Sequence, residues 1–198
     1  MGKTHHVIYI PGIGDHKPEI QIKLLSRWNK PDFQVHFFRL VWNDDEKFSS
    51  KLARLTKIID ELYEENGQVS LVGVSAGAGA ALNAYIERPE KISGVVYICG
   101  KIIGLKNVGQ AYFEKNPPFF DSLELTQNNL QKLSAQDKAK MLSLKPIFDE
   151  TVPVNVTKIP GVASRTLFSL FHVPSIFLAL TIYKPMSVNF LKDRAGIQ

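Results

Sequence analysis

The chain has 198 residues, 44% of them hydrophobic and 22% charged. This balance suits one compact domain with its own core, and it excludes extended disorder or a dependence on disulfides. The net charge is +5, yet the lysines are scattered and form no basic block with interleaved aromatic residues, which argues against a nucleic-acid partner. We therefore predict a single domain over residues 1–198.

Cysteine content and hydropathy bear on the compartment. Cys99 is the only cysteine, so no internal disulfide can form, and the N-terminus lacks an apolar signal core. The apolar stretch at 167–183 contains His172 and Pro174 and falls short of the roughly 20 residues that a membrane-spanning helix needs. We therefore expect a cytoplasmic protein without a membrane span.

The first third of the chain alternates between strand and helix patterns. The continuous apolar run at 5–10, HHVIYI, is typical of a strand buried on both faces, and FQVHFFRLVW at 33–42 predicts a second strand. Residues 17–28 have apolar side chains at roughly helical spacing. Between 48 and 63 the apolar residues recur every three or four positions, which predicts an amphipathic helix that ends near Gly67.

The middle of the chain continues this alternation. A third strand is predicted at 68–73, QVSLVG, followed by a helix that begins in the small-residue run 76–84 and by a fourth strand at 94–99, GVVYIC. The segment 101–121 loses regular spacing and gathers aromatic residues and two prolines. We expect this segment to form either a small lid or a long connection.

The last third predicts a helix at 123–142, a short strand at 141–144, a last strand at 163–170 and a final helix at 175–192. Strands that alternate with helices form parallel sheets, because parallel neighbours need crossover connections. We therefore predict an α/β fold: a three-layer sandwich of about six mostly parallel strands with helices on both faces.

The stretch VSLVGVSAGAGAAL at 69–82 fits two different chemistries. Gly73, Ser75 and Gly77 form a G-x-S-x-G pattern, which exposes a nucleophilic serine at a strained turn between a strand and a helix. Gly73, Gly77 and Gly79 also fit a glycine-rich turn that binds a dinucleotide phosphate. The position of Ser75 directly after an apolar strand favours the nucleophile turn, with Gly79 as a small residue that lets the helix pack close to the sheet.

A nucleophilic serine needs a base within hydrogen-bonding reach and an acid that orients the base. In the chain order of this turn the base comes last, and of the five histidines only His172 follows the serine. Among the carboxylates between them we choose Asp149, which follows a strand about 23 residues before the histidine, with Glu150 as its alternative. Asp121 lies in the irregular segment and Asp137 on a solvated helical face, so both are less suitable.

Acyl transfer also needs backbone donors for the oxyanion that forms on attack. The amide of Ala76, directly after the serine, is one candidate. We assign the other to Ile13 in the loop PGIGDHK, where Gly12 and Gly14 let the backbone approach closely. The histidines and acids show no spacing typical of metal ligands, so we expect no metal site.

In this order, the segments HHVIYIPGIGD, LVGVSAGAGAAL, FDETVP and FHVPSI resemble the α/β-hydrolase superfamily along essentially the whole chain. The chain is similar to small members that start at the third strand of the family's sheet and lack a large cap domain. The resemblance implies Ser75 as the nucleophile, His172 as general base and then general acid, and Asp149 as the acid that orients it. It also implies that the amides of Ile13 and Ala76 form the oxyanion hole.

Two positions depart from the family's pattern. Pro11-Gly12 stands where His-Gly is common, and Phe171 stands where a glycine often precedes the histidine. The function implied is hydrolysis of a small ester or thioester through an acyl-enzyme intermediate, with a small-molecule acyl substrate and no cofactor. Four aromatic residues either wall an apolar acyl pocket or serve as ordinary packing: Tyr112, Phe113, Phe119 and Phe120.

Two alternatives stay open at this point. A protein of the same fold can be non-catalytic or act through a protein partner. An NAD(P)-binding oxidoreductase would use the glycines at 73–79 and the spacing of Tyr97 and Lys101, but that fingerprint resembles its family only near the chain start. Here some seventy residues precede the glycines, and Tyr97 falls in a predicted strand.

Overall fold

The computed structural model describes residues 4–15, 17–65, 67–104 and 108–197. Its strands, in chain order, are β1 His5–Ile10, β2 Phe33–Phe37, β3 Gln68–Val74, β4 Ile92–Ile98, β5 Met141–Phe148 and β6 Ala163–Leu170. They form one sheet in the order β2-β1-β3-β4-β5-β6, and every neighbouring pair is parallel. The prediction of about six mostly parallel strands is confirmed.

The α-helices of the described ranges are α1 Glu19–Ser26, α2 Phe48–Glu64, α3 Gly77–Glu87, α4 Gln110–Lys115, α5 Pro117–Leu130, α6 Ala135–Ala139, α7 His172–Leu180 and α8 Lys184–Ala195. A short 3₁₀ helix follows β5 at Val154–Thr157. Apolar side chains of α2, α3 and α5 form one core against the sheet, and those of α1, α7 and α8 form a second core on its other face. The predicted three-layer sandwich is therefore confirmed.

The continuous apolar runs have a direct physical cause. Successive side chains of a strand point to opposite faces of the sheet, so a strand covered on both faces must be apolar at every position. In β1, for example, Val7 lies in one core and Ile8 in the other, and neither is exposed. Such runs made β1, β3 and β4 recognisable in the sequence.

The strand order reverses at β1. β2 pairs with one side of β1, and β3 pairs with the other side. Loops that leave the carboxyl ends of two such strands diverge to opposite faces of the sheet and leave a crevice between them, where ligands of α/β proteins bind. Ile13 lies in the loop after β1, and Ser75 lies directly after β3.

The second strand is shorter than predicted. β2 ends at Phe37 and not at residue 42, because the backbone amides of Leu40 and Val41 turn away to the buried carboxylate of Asp15. These N–H groups donate to Asp15 Oδ2 at 3.1 and 2.7 Å, and Val41 has a φ of 58°. A loop that is held by a side chain from another loop leaves no local pattern in the sequence.

The segment 101–121 is more regular than predicted. Residues 105–107 lie outside the described residues, but α4 and the start of α5 fall within the segment. Proline is well tolerated in the first turn of a helix, so Pro117 and Pro118 begin α5. The helix predicted at 123–142 is in fact two helices, because Ser134 and Asp137 form a capping box that starts α6 anew.

The final helix predicted at 175–192 is also divided. α7 begins three residues earlier, at His172, and ends at Leu180; α8 then starts with Pro185 in its first turn, and a proline at that place cannot continue a preceding helix. The apolar stretch 167–183 is thus divided between β6, α7 and a turn. No helix in the described ranges has both the length and the apolar character needed to cross a membrane.

Candidate active site

Ser75 occupies a tight turn between β3 and α3. Its φ is 52°, in the left-handed region that side chains rarely adopt. Two backbone hydrogen bonds fix this conformation: the Ser75 amide donates to the Ile98 carbonyl at 3.0 Å, and the Ser75 carbonyl accepts from the Lys101 amide at 3.1 Å. Neighbouring β4 and the residues after it therefore hold the serine side chain at the carboxyl edge of the sheet.

Glycines around Ser75 make room for this turn. A β-carbon on Gly12 would lie 2.7 Å from the Ser75 β-carbon, and one on Gly77 would lie 2.2 Å from the Ile10 carbonyl oxygen. A β-carbon on Gly73 would lie 2.6 Å from the Gly77 carbonyl oxygen. These distances are too short for any side chain, so the turn and the loop after β1 can approach each other only through glycine.

His172 and Asp149 meet Ser75 at this edge. His172 Nε2 lies 3.0 Å from Ser75 Oγ, and His172 Nδ1 lies 2.7 Å from Asp149 Oδ2. Both His172 and Asp149 are buried, with exposed fractions of 6% and 5%, whereas Ser75 is partly exposed. The structure thus brings together the three side chains that were predicted from the sequence, which follow β3, β5 and β6 along the chain.

The Asp149 carboxylate sits in a strong set of donors. Its Oδ1 accepts from the backbone amides of Val152 at 2.7 Å and Thr151 at 2.9 Å. Burial acts to raise the pKa of Asp149, but the hydrogen bonds from His172 and these two amides outweigh it and hold the pKa below its usual range. An ionised carboxylate only accepts hydrogen bonds, so Nδ1 of His172 carries the proton and Nε2 is the acceptor that faces Ser75.

Glu150, the alternative acid, makes a different contact. Its Oε2 accepts from the backbone amide of His172 at 2.8 Å, at the first residue of α7. Phe171, just before, has a φ of 69°. That region favours glycine, which accounts physically for the glycine often found at this position. Asp149 therefore bonds to the imidazole ring of His172, whereas Glu150 bonds to its backbone amide.

Ile13 and Ala76 are the two residues whose amides were predicted as oxyanion donors. Both line one cavity together with Ser75, and neither backbone amide donates to another group within the described part of the chain. The loop that carries Ile13 is held by two residues that sequence reasoning missed. Asp15 bonds it to the chain after β2, and the Trp42 indole N–H donates to the Pro11 carbonyl at 3.2 Å.

Two cavities meet at Ser75 and Ile13. The smaller, about 200 Å³, is walled by Ala76, Lys101, Tyr112, Phe119 and residues of the loop after Asp149. The larger, about 330 Å³, is lined by His172 and mostly apolar side chains of α1 and α7: Ile20, Leu24, Val173, Ile176, Phe177 and Leu180. An extended molecule placed across Ser75 would therefore have one part in each cavity.

Of the four aromatic residues expected near the site, two line the smaller cavity. Tyr112 and Phe119 contact it, with ring centroids 6.2 Å apart. Phe113 and Phe120 pack against each other edge to face, with ring centroids 5.0 Å apart, and line a separate surface depression.

Lys101 was not expected to line the smaller cavity. Burial lowers its pKa, and its ammonium donates to the Ile103 carbonyl at 3.2 Å.

Cys99 lies behind the acid and the base. One side-chain donor atom each from Cys99, Asp149 and His172 lie within 4.8 Å of one another. Burial, together with the negative charges of Asp149 and Glu150, raises the pKa of the Cys99 thiol, and a metal ligand must be a thiolate. Because Asp149 and His172 also bond to each other, the three form an acid–base pair beside a neutral thiol, an arrangement that does not suit a metal ion.

The other described histidines lie away from Ser75. His5 and His6 belong to β1, and His6 Nδ1 lies 2.9 Å from Nε2 of His36 on β2. His5 Nε2 lies 2.9 Å from Ser70 Oγ, near the amino end of β3. His16 lies outside the described residues.

The residues of the dinucleotide alternative do not assemble into a site. The Tyr97 hydroxyl is buried in the core and donates to Met141 Sδ at 3.4 Å. A β-carbon on Gly79 would lie 3.0 Å from Thr126 Oγ1, so Gly79 allows α3 to approach α5 and not, as expected, the sheet. The glycines that let α3 pack on the sheet are Gly73 and Gly77.

The similarity of this chain to known proteins lies in its structure and not in its sequence. No family model matches the chain, and no curated protein is similar to it in sequence. Solved structures do match. One of the metagenome-derived lipolytic enzymes LipS and LipT is 14% identical, with 98% of this chain and 95% of the other covered and a TM-score of 0.67.

Two further structures agree. The Paleococcus ferrophilus monoacylglycerol lipase is 15% identical over 98% of this chain and 97% of its own, with a TM-score of 0.67. MGS-MChE2, an α/β-hydrolase enzyme from the metagenome of lagoon sediments at Mar Chica, Morocco, is 16% identical over 98% and 93%, with a TM-score of 0.62. The chain therefore has the α/β-hydrolase fold, as the sequence resemblance implied.

Proposed function

We propose that the protein is a serine hydrolase that cleaves a small ester or thioester through an acyl-enzyme intermediate. The observation that carries this proposal is the hydrogen-bonded line from Ser75 through His172 to Asp149, with distances of 3.0 and 2.7 Å, at the point where the strand order reverses. Neighbours of the same fold that are lipolytic enzymes and lipases support the same chemistry.

The proposed reaction begins with proton transfer to His172. Nε2 takes the proton of the Ser75 hydroxyl while Oγ attacks the carbonyl carbon, and Asp149 stabilises the imidazolium that forms. The negative charge then develops on the carbonyl oxygen, for which the amides of Ile13 and Ala76 are the proposed donors. Each such donor is worth on the order of 3 kcal/mol of transition-state stabilisation.

The second half of the reaction releases both products. His172 gives its proton to the leaving oxygen or sulfur, the carbon–heteroatom bond breaks, and the acyl group stays on Ser75. Water that donates its proton to Nε2 then attacks the acyl carbon. The bond between that carbon and Ser75 Oγ breaks, His172 returns the proton to Oγ, and the free acid leaves. Because the leaving atom must face His172, we assign the leaving group to the larger cavity and the acyl group to the smaller one.

A fluorophosphonate probe tests the proposal, because it reacts covalently with an activated serine. We expect the wild-type protein to be labelled on Ser75, and Ser75→Ala and His172→Ala to abolish labelling. Ser164→Ala, which removes an exposed serine on β6, should label as the wild type does. Peptide mass spectrometry locates the label. A folded wild-type protein that stays unlabelled would instead support a non-catalytic binding protein of the same fold.

A further inference from the structure

Exposed apolar side chains lie on one face of β6 and at the carboxyl end of β5. Among the described strands, β6 pairs with β5 alone and lies at the edge of the sheet. Its Leu167 and Ser169 are buried, whereas the alternating Phe168 and Leu170 are 84% and 51% exposed. Since alternate side chains share a face, Phe168 lies on the same face as Thr166, which pairs with Lys145 of β5.

We use the name edge-strand patch for six apolar side chains that are each at least half exposed: Ile147, Phe148, Phe168, Leu170, Phe171 and Val173. Phe148 and Phe171 contact each other edge to face, with centroids 6.0 Å apart. Scattered exposed apolar residues are normal on a protein surface, but a contiguous group of large ones marks an interaction surface.

The edge-strand patch reaches the proposed active site. Phe171 directly precedes His172, and Val173 follows it and lines the larger cavity beside Ile20, which is itself 69% exposed. Whatever covers the patch therefore lies at the entrance of the cavity that we assign to the leaving group.

Positive charge borders the edge-strand patch. Lys145 shares the face of Phe168, and burial together with the neighbouring charge of Lys158 lowers the Lys145 pKa. Within the described ranges neither Lys145 nor Lys158 forms an ion pair.

The carboxylates at the end of β5 do not neutralise these cations. Asp149 accepts from the His172 ring, and Glu150 accepts from the His172 amide. The surface thus combines large exposed apolar side chains with unpaired positive charge. A partner that matches it has an apolar layer with negatively charged groups at the boundary of that layer.

We propose that the edge-strand patch binds an anionic lipid–water surface, with its apolar side chains among the acyl chains and Lys145 and Lys158 at the headgroups. Such binding lies on the membrane and does not span it. A second copy of the chain suits the patch less well, because pairing two such faces brings the unpaired cations of both copies to one interface. The docking itself does not require catalysis, although it would bring the proposed hydrolase to apolar esters.

Vesicle co-sedimentation of the full chain tests this proposal. We expect binding to vesicles of equal parts phosphatidylcholine and phosphatidylglycerol, weaker binding at high salt, and little binding to phosphatidylcholine alone. Lys145→Gln with Lys158→Gln should lower the partition coefficient about 25-fold, at roughly fivefold per cation. Ile147→Ser with Phe168→Ser should lower it at least about tenfold.

Tyr63→Ser is the matched control, because Tyr63 is 42% exposed near the carboxyl end of α2 and lies outside the patch. It should bind vesicles as the wild type does. Thermal unfolding shows that each variant is folded, and fluorophosphonate labelling reports separately on Ser75, so loss of docking and loss of the proposed activity are distinguishable. The proposal is overturned if the wild type ignores anionic vesicles, if Tyr63→Ser weakens binding equally, or if the Phe168 variant instead dissociates a dimer.

Discussion

At the scale of single residues, Ser75 and Phe171 share an unusual backbone. Both have positive φ angles, 52° and 69°, although neither is glycine. Such conformations cost on the order of 1–3 kcal/mol each and persist only where the surroundings hold them. Here they place Oγ of Ser75 and the ring of His172 at 3.0 Å, which ordinary strand or helix geometry at either position would not do.

Asp149→Asn tests the role of the acid. The substitution keeps the size of the side chain but removes the charge that fixes the proton on Nδ1 of His172 and stabilises the imidazolium. We expect kcat for an activated acetate ester to fall by about 10⁴-fold, the loss known when the acid of a serine-protease triad is replaced by its amide. Steady-state kinetics measure this change, with circular dichroism to confirm folding.

Glu150→Gln is the neighbouring control. Glu150 bonds to the main chain of His172 and not to its ring, so the substitution should cost about 1 kcal/mol of stability and less than about tenfold in kcat. The assigned roles are contradicted if Asp149→Asn keeps the wild-type kcat, or if Glu150→Gln lowers kcat as much as Asp149→Asn does.

At the scale of helices and strands, the sequence was most informative where burial imposes a pattern. The central strands β1, β3 and β4 and the amphipathic helix α2 were recognised because both covered faces of a strand, or one stripe of a helix, must be apolar. The order of strands and helices then led to Ser75, Asp149 and His172, since each follows a strand at the carboxyl edge of a parallel sheet.

The features that the sequence did not reveal depend on contacts between distant segments. The early end of β2 results from Asp15, which accepts the amides of Leu40 and Val41. The divisions of the α5–α6 and α7–α8 regions depend on a capping box and on Pro185, weak local signals against a continuing apolar pattern. The cavities are assembled from several elements, so no single stretch predicts their walls.

At the scale of the whole molecule, a buried histidine links stability to pH. His5 is fully buried and burial lowers its pKa from 6.5 to about 4. Between these values the unfolded chain binds a proton that the folded protein does not, so stability is greatest above pH 6.5 and falls as the pH approaches 4. We expect His5 to account for a loss on the order of 3 kcal/mol of unfolding free energy between pH 6.5 and pH 4.

Urea unfolding at a series of pH values measures this effect. A His5→Gln variant should have a shallower fall of the unfolding free energy between pH 6.5 and 4 than the wild type. The remaining slope is expected to come partly from His6 and His36, whose pKa values burial also lowers. If the two proteins lose stability in parallel over this range, His5 does not carry the linkage.

The proposed hydrolase depends on acylation of Ser75, and trapping the acyl-enzyme detects this step. The protein is mixed with p-nitrophenyl acetate, quenched in acid within the first turnover and analysed by intact and peptide mass spectrometry. We predict a burst of p-nitrophenol that matches the enzyme concentration and one acetyl group on Ser75, both absent in Ser75→Ala. A folded wild-type protein with neither burst nor adduct, or with the acetyl group on another residue, would show that Ser75 is not the nucleophile.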